Sequence, residues 1–141
     1  MKKIVIIVSA VLLMMSCKPE APKDYVTLSG TITNPNSDSL IVAQKQIIKT
    51  IKVNEDGTFS DTLKVDPGTY VLFDGTEQTR VYLKNGFDLN LTANTNEFDE
   101  TVNYSGNGAA ENNYLAAVAL LQESVLEDEA MFQLEKPKFD E

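Results

Sequence analysis

The chain has 141 residues, with 21 acidic and 12 basic side chains, one cysteine and no histidine. A single cysteine excludes an intramolecular disulfide and a dithiol redox cycle, and the missing histidine removes the commonest metal ligand and general base. The net charge of −9 opposes binding to nucleic acid.

The first sixteen residues have the layout of a secretory signal. Two lysines precede an uncharged apolar run at positions 4–15, and small Ser16 stands directly before Cys17. A basic start, a short apolar stretch and a small residue at the cut are the three parts of such a signal. A membrane-spanning helix needs about 20 apolar residues, more than this run supplies. We therefore predict a signal peptide at 1–16.

The single cysteine follows this run at once. Met14, Met15, Ser16 and Cys17 resemble the lipobox of bacterial lipoproteins, in which the thiol is diacylated and the peptide is cut before the cysteine. The resemblance implies lipidation at Cys17 and signal cleavage between Ser16 and Cys17. An ordinary secretory signal with an unused thiol is the alternative. In many Gram-negative lipoproteins an aspartate after the cysteine retains the protein in the inner membrane; Lys18 stands there, which favours the outer membrane of the cell envelope.

Residues 17–24 are predicted to be the lipidated cysteine and a tether. The segment KPEAPKD is rich in proline and charge, which favours an extended, solvated chain. Cleavage at Cys17 leaves 125 residues, enough for one domain, with a net charge of −11. That charge repels anionic head groups, so we expect the membrane to be contacted through the lipid on Cys17 alone and nucleic acid not to be a partner.

Residues 25–106 carry the pattern of about seven to eight short strands. YVTLSGTIT alternates apolar with polar residues, the period of a half-buried strand. The later β-rich runs are SLIVAQ, IIKTIKV, TFSDTLKV, TYVLFDG, QTRVYLKNG, FDLNLTA and ETVNYSG. Turn signals separate them, with no helical segment between, which indicates a sandwich or a barrel. We take the mainly β, antiparallel sandwich as the predicted fold.

Two turns in this region predict hairpins. NEDG at 54–57 places a glycine after residues that hydrogen-bond their own backbone. Asn85-Gly86 lies between two alternating apolar runs and is the strongest hairpin signal in the chain.

Residues 109–135 predict one long C-terminal helix. The segment has no glycine or proline and places Tyr114, Val118, Leu121 and Val125 on one stripe. At ~1.5 Å per residue it reaches about 40 Å, longer than a sandwich of this size can cover. Its far end therefore needs another surface, and the helix is interpreted as a possible connector to a missing module.

Acidic residues offer no recognisable metal or catalytic site. A calcium loop built on NEDGTF would need aspartate and glutamate where Lys52 and Leu63 stand. Asp74, Glu77 and Asp88 are not tied together by sequence and are given no role.

The other candidates for a catalytic or phosphate-binding site also lack required residues. The serines lack a histidine partner, and SGNGAA at 105–110 lacks the residues of a P-loop or a dinucleotide fingerprint, so it is taken as a loop and helix start. Exposed rings at Tyr70 and Tyr82 could form a ligand platform, but core positions are favoured. No catalytic, metal-ligating or cofactor-binding residue is predicted, and no cofactor is expected. The chain is expected not to be an enzyme.

The strand and turn series carries a family resemblance. LSGTITN, IKVNEDGTFSDTLKV, DPGTYVLFDG, VYLKNGFDLNLTAN and YSGNGAAENNYL, followed by a helix, resemble the N-terminal domain of unknown function in lipid-anchored TlpA/ResA-type thiol:disulfide interchange proteins of Gram-negative bacteria. The similarity covers about residues 25–135. Similar turns recur in transthyretin-like and carboxypeptidase-regulatory-like sandwiches, which are binding or structural modules.

The chain departs from that family at the redox centre. The family works through a Trp-Cys-x-x-Cys motif, and this sequence has no tryptophan and only Cys17. The resemblance therefore implies a non-catalytic accessory domain, with a downstream thioredoxin-like module as the expected partner. The alternative is a stand-alone lipoprotein sandwich that binds a peptide, a glycan or an envelope protein.

Overall fold

A computed structural model describes residues 23–135, and the side chains of residues 23–126. The predicted signal peptide 1–16, the cleavage site at Ser16 and Cys17, and most of the tether 17–24 lie outside the described residues. Lys23 and Asp24, at the end of the predicted tether, contact the surface of the domain. Lys23 lies 3.4 Å from the Asp88 carboxylate, and Asp24 pairs with Lys64.

The described residues form two four-stranded sheets that pack as a sandwich. The strands are β1 Val26–Thr33, β2 Ser39–Ala43, β3 Ile47–Lys52, β4 Thr58–Leu63, β5 Gly68–Phe73, β6 Gln78–Leu83, β7 Asp88–Asn94 and β8 Asn103–Asn107. The first sheet has the order β4-β1-β7-β8 and the second β3-β2-β5-β6. The predicted mainly β sandwich with a C-terminal helix is confirmed.

Alternation along each strand builds the core. In β1, Val26, Leu28 and Ile32 are buried while the residues between them face outward. The inward side chains of both sheets form one apolar cluster. All strand pairs are antiparallel except β1 and β7, which run parallel along the middle of the first sheet. The chain leaves that sheet after β4 and re-enters it at β7, which sets this parallel direction.

The two predicted turns form, but neither closes a hairpin. Gly57 and Gly86 have φ of 80° and 94°, values that favour glycine. The 54–57 turn leads from β3 to β4 and the Asn85-Gly86 turn from β6 to β7, and in both cases the two strands belong to different sheets. The hairpin predictions are therefore wrong, because a turn's local geometry does not decide which strands pair.

A short helical segment interrupts the strands where none was predicted. A 3-10 turn, Thr95–Glu97, leads into helix α1, Phe98–Thr101, so β8 begins at Asn103 instead of about position 100. Phe98 is buried in the core, and Thr101 accepts a hydrogen bond from the Asn94 amide at 2.9 Å. Burial of one ring and this local bond favour a helical turn over continued strand.

Helix α2 spans Ala109–Glu135, as predicted. It follows Gly108, which packs against the Phe87 ring. The SGNGAA segment was predicted to be a loop and helix start; its helix start is correct, but residues 105–107 belong to β8, so the loop is Gly108 alone. Among the aromatic residues, Tyr70 is core, with its hydroxyl donating to the Asp66 carbonyl at 2.8 Å. Tyr82 is half-buried and packs edge-on against Phe87.

Candidate functional site

Two adjacent asparagines attach α2 to both sheets. The Asn112 carboxamide accepts from the Tyr82 amide at 2.7 Å and donates to the Tyr82 carbonyl at 3.0 Å. Asn113 makes the same pair of bonds with Tyr104, at 2.7 and 2.8 Å. Tyr82 lies in β6 and Tyr104 in β8, the edge strands on one side of the sandwich. Each carboxamide thus makes the two backbone hydrogen bonds that a neighbouring strand would make at that residue. Together the two side chains cover this side of the sandwich.

The opposite side of the sandwich is closed differently. Lys49 of β3 and Asp61 of β4 form an ion pair at 3.1 Å between the two remaining edge strands. Ile47 on the β3 edge is 62% exposed, next to a shift in the β2–β3 register. Bulges and lysines are common devices that protect such edges from pairing with another chain.

On one side, α2 leaves apolar side chains in solvent. Tyr114, Leu121 and Val125 are 70%, 64% and 55% exposed, and they belong to the stripe identified in the sequence. A monomeric domain rarely leaves a helix stripe of this kind uncovered. The predicted excess length of the helix therefore corresponds to an apolar surface that the sandwich does not cover. We call the exposed side chains of Tyr114, Leu121 and Val125 the free stripe.

The outward face of the first sheet is polar and carries little charge. Its cross-strand rows contain Thr27, Ser29, Thr31, Thr58, Ser60, Thr62, Asp88, Asn90, Thr92, Asn103, Ser105 and Asn107. Only Asp88 carries a charge. Internal bonds on this face, such as Asn90 to the Ser29 hydroxyl at 3.2 Å, join neighbouring strands. Such small polar side chains are well solvated and give this face no apolar area to bury.

The outward face of the second sheet has an apolar patch in its two central strands, β2 and β5. Ile41 lies beside Phe73, and Ala43 beside Val71, in adjacent cross-strand rows, and all four are half-buried. The row continues from Val71 to Arg80 of β6. Helix α2 rises beside this face, and a cleft opens between them.

The acidic residues considered in the sequence serve turns and surfaces. The buried Asp74 carboxylate accepts from the Thr76 and Glu77 amides, at 3.0 and 2.8 Å, and from the Asn36 side chain at 3.1 Å. Asp88 begins β7 in the other sheet. The structure therefore does not bring Asp88 into one turn with Asp74 and Glu77.

The NEDG turn is likewise occupied by its own residues. The Asp56 carboxylate accepts from the Thr58 amide at 3.0 Å and from the Thr58 hydroxyl at 2.6 Å. These bonds lower the pKa of Asp56. Among the described residues there is no group of three or more His, Cys, Asp or Glu side chains that could hold a metal ion.

One buried polar group is unpaired. The Tyr104 hydroxyl has no hydrogen-bond partner among the described residues. Burial raises the pKa of Tyr104. The Thr79 side chain lies close enough to the hydroxyl to oppose this effect in part, but the two groups do not have the geometry of a hydrogen bond. A buried hydroxyl without a partner costs stability, so Tyr104 is a weak point beneath the helix attachment.

Sequence reasoning missed the residues that organise this region. Asn112 and Asn113 were read only as part of a helix, although two consecutive asparagines are poor helix formers and signal a side-chain role. Arg80, the sole arginine of the chain, carried no prediction. The predicted sites at Ser16 and Cys17 lie outside the described residues.

Comparison with known proteins adds no relative. No protein-family model matches the chain, and no curated protein is similar enough to count as a match. Within residues 23–135, no helix is both long and apolar enough to cross a membrane. The class that can be stated is therefore structural: a two-sheet β-sandwich carrying a partly uncovered C-terminal helix.

Proposed function

We propose that this chain is a non-catalytic, lipid-anchored domain of a bacterial cell envelope that docks against a second protein module through the free stripe of α2. The observation that supports docking is the exposure of Tyr114, Leu121 and Val125 on a helix whose first turns are firmly attached. Burying such side chains against a partner contributes roughly 25 cal/mol per Å² of apolar surface.

The anchor in this proposal is the lipid on Cys17. Its support is the sequence pattern of 1–16 and the lipobox resemblance. Outer-membrane attachment is favoured, with residues 18–24 as the tether. Incorporation of radiolabelled palmitate is the direct test. No label in the protein, or a Cys17→Ser form that fractionates with membranes like the parent, contradicts the anchor.

The partner in this proposal is a thioredoxin-like module of a thiol:disulfide interchange protein. The family resemblance supports it, as does the length of α2, which continues well past the sandwich. The domain then contributes position and contact surface, and the partner supplies the two thiols. A Cys-x-x-Cys motif encoded downstream of Glu141 is the expected result of reading the gene further. Its absence contradicts this choice of partner.

Docking itself is tested by deuterium exchange. Amides of residues 118–126 are expected to exchange more slowly when the thioredoxin-like module is present. Leu121→Lys should abolish that protection, whereas Thr31→Lys, on the polar face of the first sheet, should not. Equal exchange with and without the module contradicts docking through α2.

The second candidate is a stand-alone binding lipoprotein in which α2 is part of the domain. The asparagine bonds to both edge strands favour it, because they make the start of the helix integral to the sandwich. It predicts a folded, monodisperse mature protein with the helix resistant to protease. A helix that is digested completely while the sandwich persists argues against this candidate.

A further inference from the structure

The cleft between α2 and the outward face of the second sheet has the dimensions of a ligand site. Its volume is about 690 Å³, within the ~300–1,000 Å³ typical of small-molecule pockets. Val71, Gln78 and Arg80 line it from the sheet, and Leu115, Val118 and Leu126 from the helix. Leu121 and Val125 do not line it, so it is separate from the docking surface proposed above.

The apolar part of the cleft wall is aliphatic, and five polar residues complete the lining. Val71 projects from β5, and Leu115, Val118 and Leu126 face it from α2. No aromatic ring is among the described residues that line it. Flat rings usually bind between aromatic side chains, whereas a flexible alkyl chain can follow a groove lined by valine and leucine. The wall chemistry therefore fits an aliphatic chain.

A single cation stands at the sheet side of this groove. Arg80 is the neighbour of Val71 across the β5–β6 pair, its side chain is exposed, and it forms no ion pair with any described residue. A guanidinium beside an apolar groove is suited to bidentate pairing with a carboxylate. Gln78 and Gln122 add neutral hydrogen-bonding groups, and Glu123 is the one carboxylate among the described lining residues.

We propose that this cleft binds a free long-chain carboxylate, with its alkyl chain between Val71 and the leucines of α2 and its head group on Arg80. The combination of an aliphatic groove and an arginine that forms no ion pair with any described residue favours an anionic amphiphile over an uncharged or cationic one. In a protein of net charge −9, a positively charged group at a groove is the exception, and it identifies the end at which the head group binds.

The test is a calorimetric titration with dodecanoate, below its micelle concentration. It uses residues 17–141 expressed without the predicted signal peptide, so that the protein stays in the cytoplasm and Cys17 carries no acyl group. Dodecanol and dodecyltrimethylammonium serve as uncharged and cationic comparators with the same chain. Dodecanoate is expected to bind at least about tenfold more tightly than either, because a charge-assisted hydrogen bond contributes ~1.5–3 kcal/mol.

Variants separate the head-group contact from the groove. Arg80→Gln should weaken dodecanoate binding by about tenfold, and Arg80→Lys, which keeps the charge but not the fork, should weaken it less. Lys52→Gln removes an exposed cation elsewhere and should leave binding unchanged. Arg80 is exposed, so these variants should keep the parent's thermal unfolding temperature.

Three outcomes overturn the proposal. The first is equal binding of all three amphiphiles, and the second is dodecanoate binding that Arg80→Gln does not change. The third is binding to phosphatidylglycerol vesicles without binding to dodecanoate, which would assign Arg80 to a lipid head group. None of these results bears on docking through α2, because that test depends on Leu121→Lys, and Leu121 does not line the cleft.

Discussion

The outward faces of the two sheets follow the same strand alternation but carry different chemistry. On the first sheet every outward row is serine, threonine or asparagine apart from Asp88. On the second, Ile41, Val71 and Phe73 face outward, and α2 rises beside them. A polar outward face needs no cover, whereas an apolar one gains stability from cover. The comparison favours the outward face of the second sheet, with α2 beside it, as the surface that contacts other molecules.

Removing the Asn112 carboxamide should have the largest effect on stability, because this side chain attaches α2 to the second sheet. Asn112→Ala deletes bonds to Tyr82 and to the Gly108 carbonyl at a fully buried position and leaves the Tyr82 amide unpaired. The free energy of unfolding should fall by about 3 kcal/mol, measured by urea denaturation. The Tyr82 amide should also exchange faster with deuterium.

Asn113→Ala is the matched variant, because Asn113 attaches α2 to the first sheet. Asn113 is only half-buried and bonds to Tyr104 alone, so the expected loss is smaller, about 1–2 kcal/mol. Equal destabilisation by the two variants would contradict the predicted difference between them. If neither loses more than a few tenths of a kcal/mol, the helix is not held by this pair.

Tyr104→Phe should stabilise the protein. The change removes a buried hydroxyl without a hydrogen-bond partner and keeps the ring in the core. The expected gain in unfolding free energy is about 1 kcal/mol. Tyr70→Phe is the control, because the Tyr70 hydroxyl donates to the Asp66 carbonyl and its loss should be destabilising. A loss of stability in Tyr104→Phe would indicate a partner for the hydroxyl.

The same tyrosines predict alkaline unfolding. Burial raises the pKa of both Tyr104 and Tyr70, and the Asp66 charge adds to the shift at Tyr70. The folded state therefore favours the protonated phenols. Their contribution is complete below the ordinary tyrosine pKa of 10.0 and is lost as pH rises above it. Urea midpoints at rising pH should fall less steeply for Tyr104→Phe than for the parent, and identical slopes would contradict this assignment.

The smallest expected effect on stability is for substitutions on the polar face of the first sheet and on the free stripe. Thr31→Lys on the polar face and Leu121→Lys on the free stripe should each change the unfolding free energy by less than about 0.5 kcal/mol, as is usual at exposed positions. The two variants should differ in their exposed apolar surface. A dye that binds apolar patches should fluoresce less with Leu121→Lys than with the parent protein, and equally with Thr31→Lys and the parent. A large stability loss in Leu121→Lys would mean that this leucine packs against the domain.

Local structure was largely predictable from particular residues. Alternation in YVTLSGTIT predicted β1, the glycines at 57 and 86 predicted turns, and the Ala- and Leu-rich segment predicted α2. These features depend on backbone preferences and on neighbours a few residues away. The short helix Phe98–Thr101 was missed because burial of the Phe98 ring in the core outweighed the local strand pattern.

The candidate sites were less predictable. The sequence showed an apolar stripe at Tyr114, Val118, Leu121 and Val125, but the pattern could not show that the sandwich leaves Tyr114, Leu121 and Val125 exposed. Arg80 and Val71 carry no local signal of a cleft, because the cleft exists only where α2 passes the second sheet. The role of the two asparagines likewise depends on the edge strands that they meet.

The sequence by itself determined where strands, turns and the helix lie, and it restricted chemistry through its single cysteine and missing histidine. Only the tertiary structure decided that β1 pairs in parallel with β7, that the 54–57 and Asn85-Gly86 turns connect different sheets, and that Asn112 and Asn113 close one side of the sandwich. The reason is physical: backbone dihedral preferences act over a few residues, whereas strand pairing and burial depend on partners that can be 60 residues away in the chain.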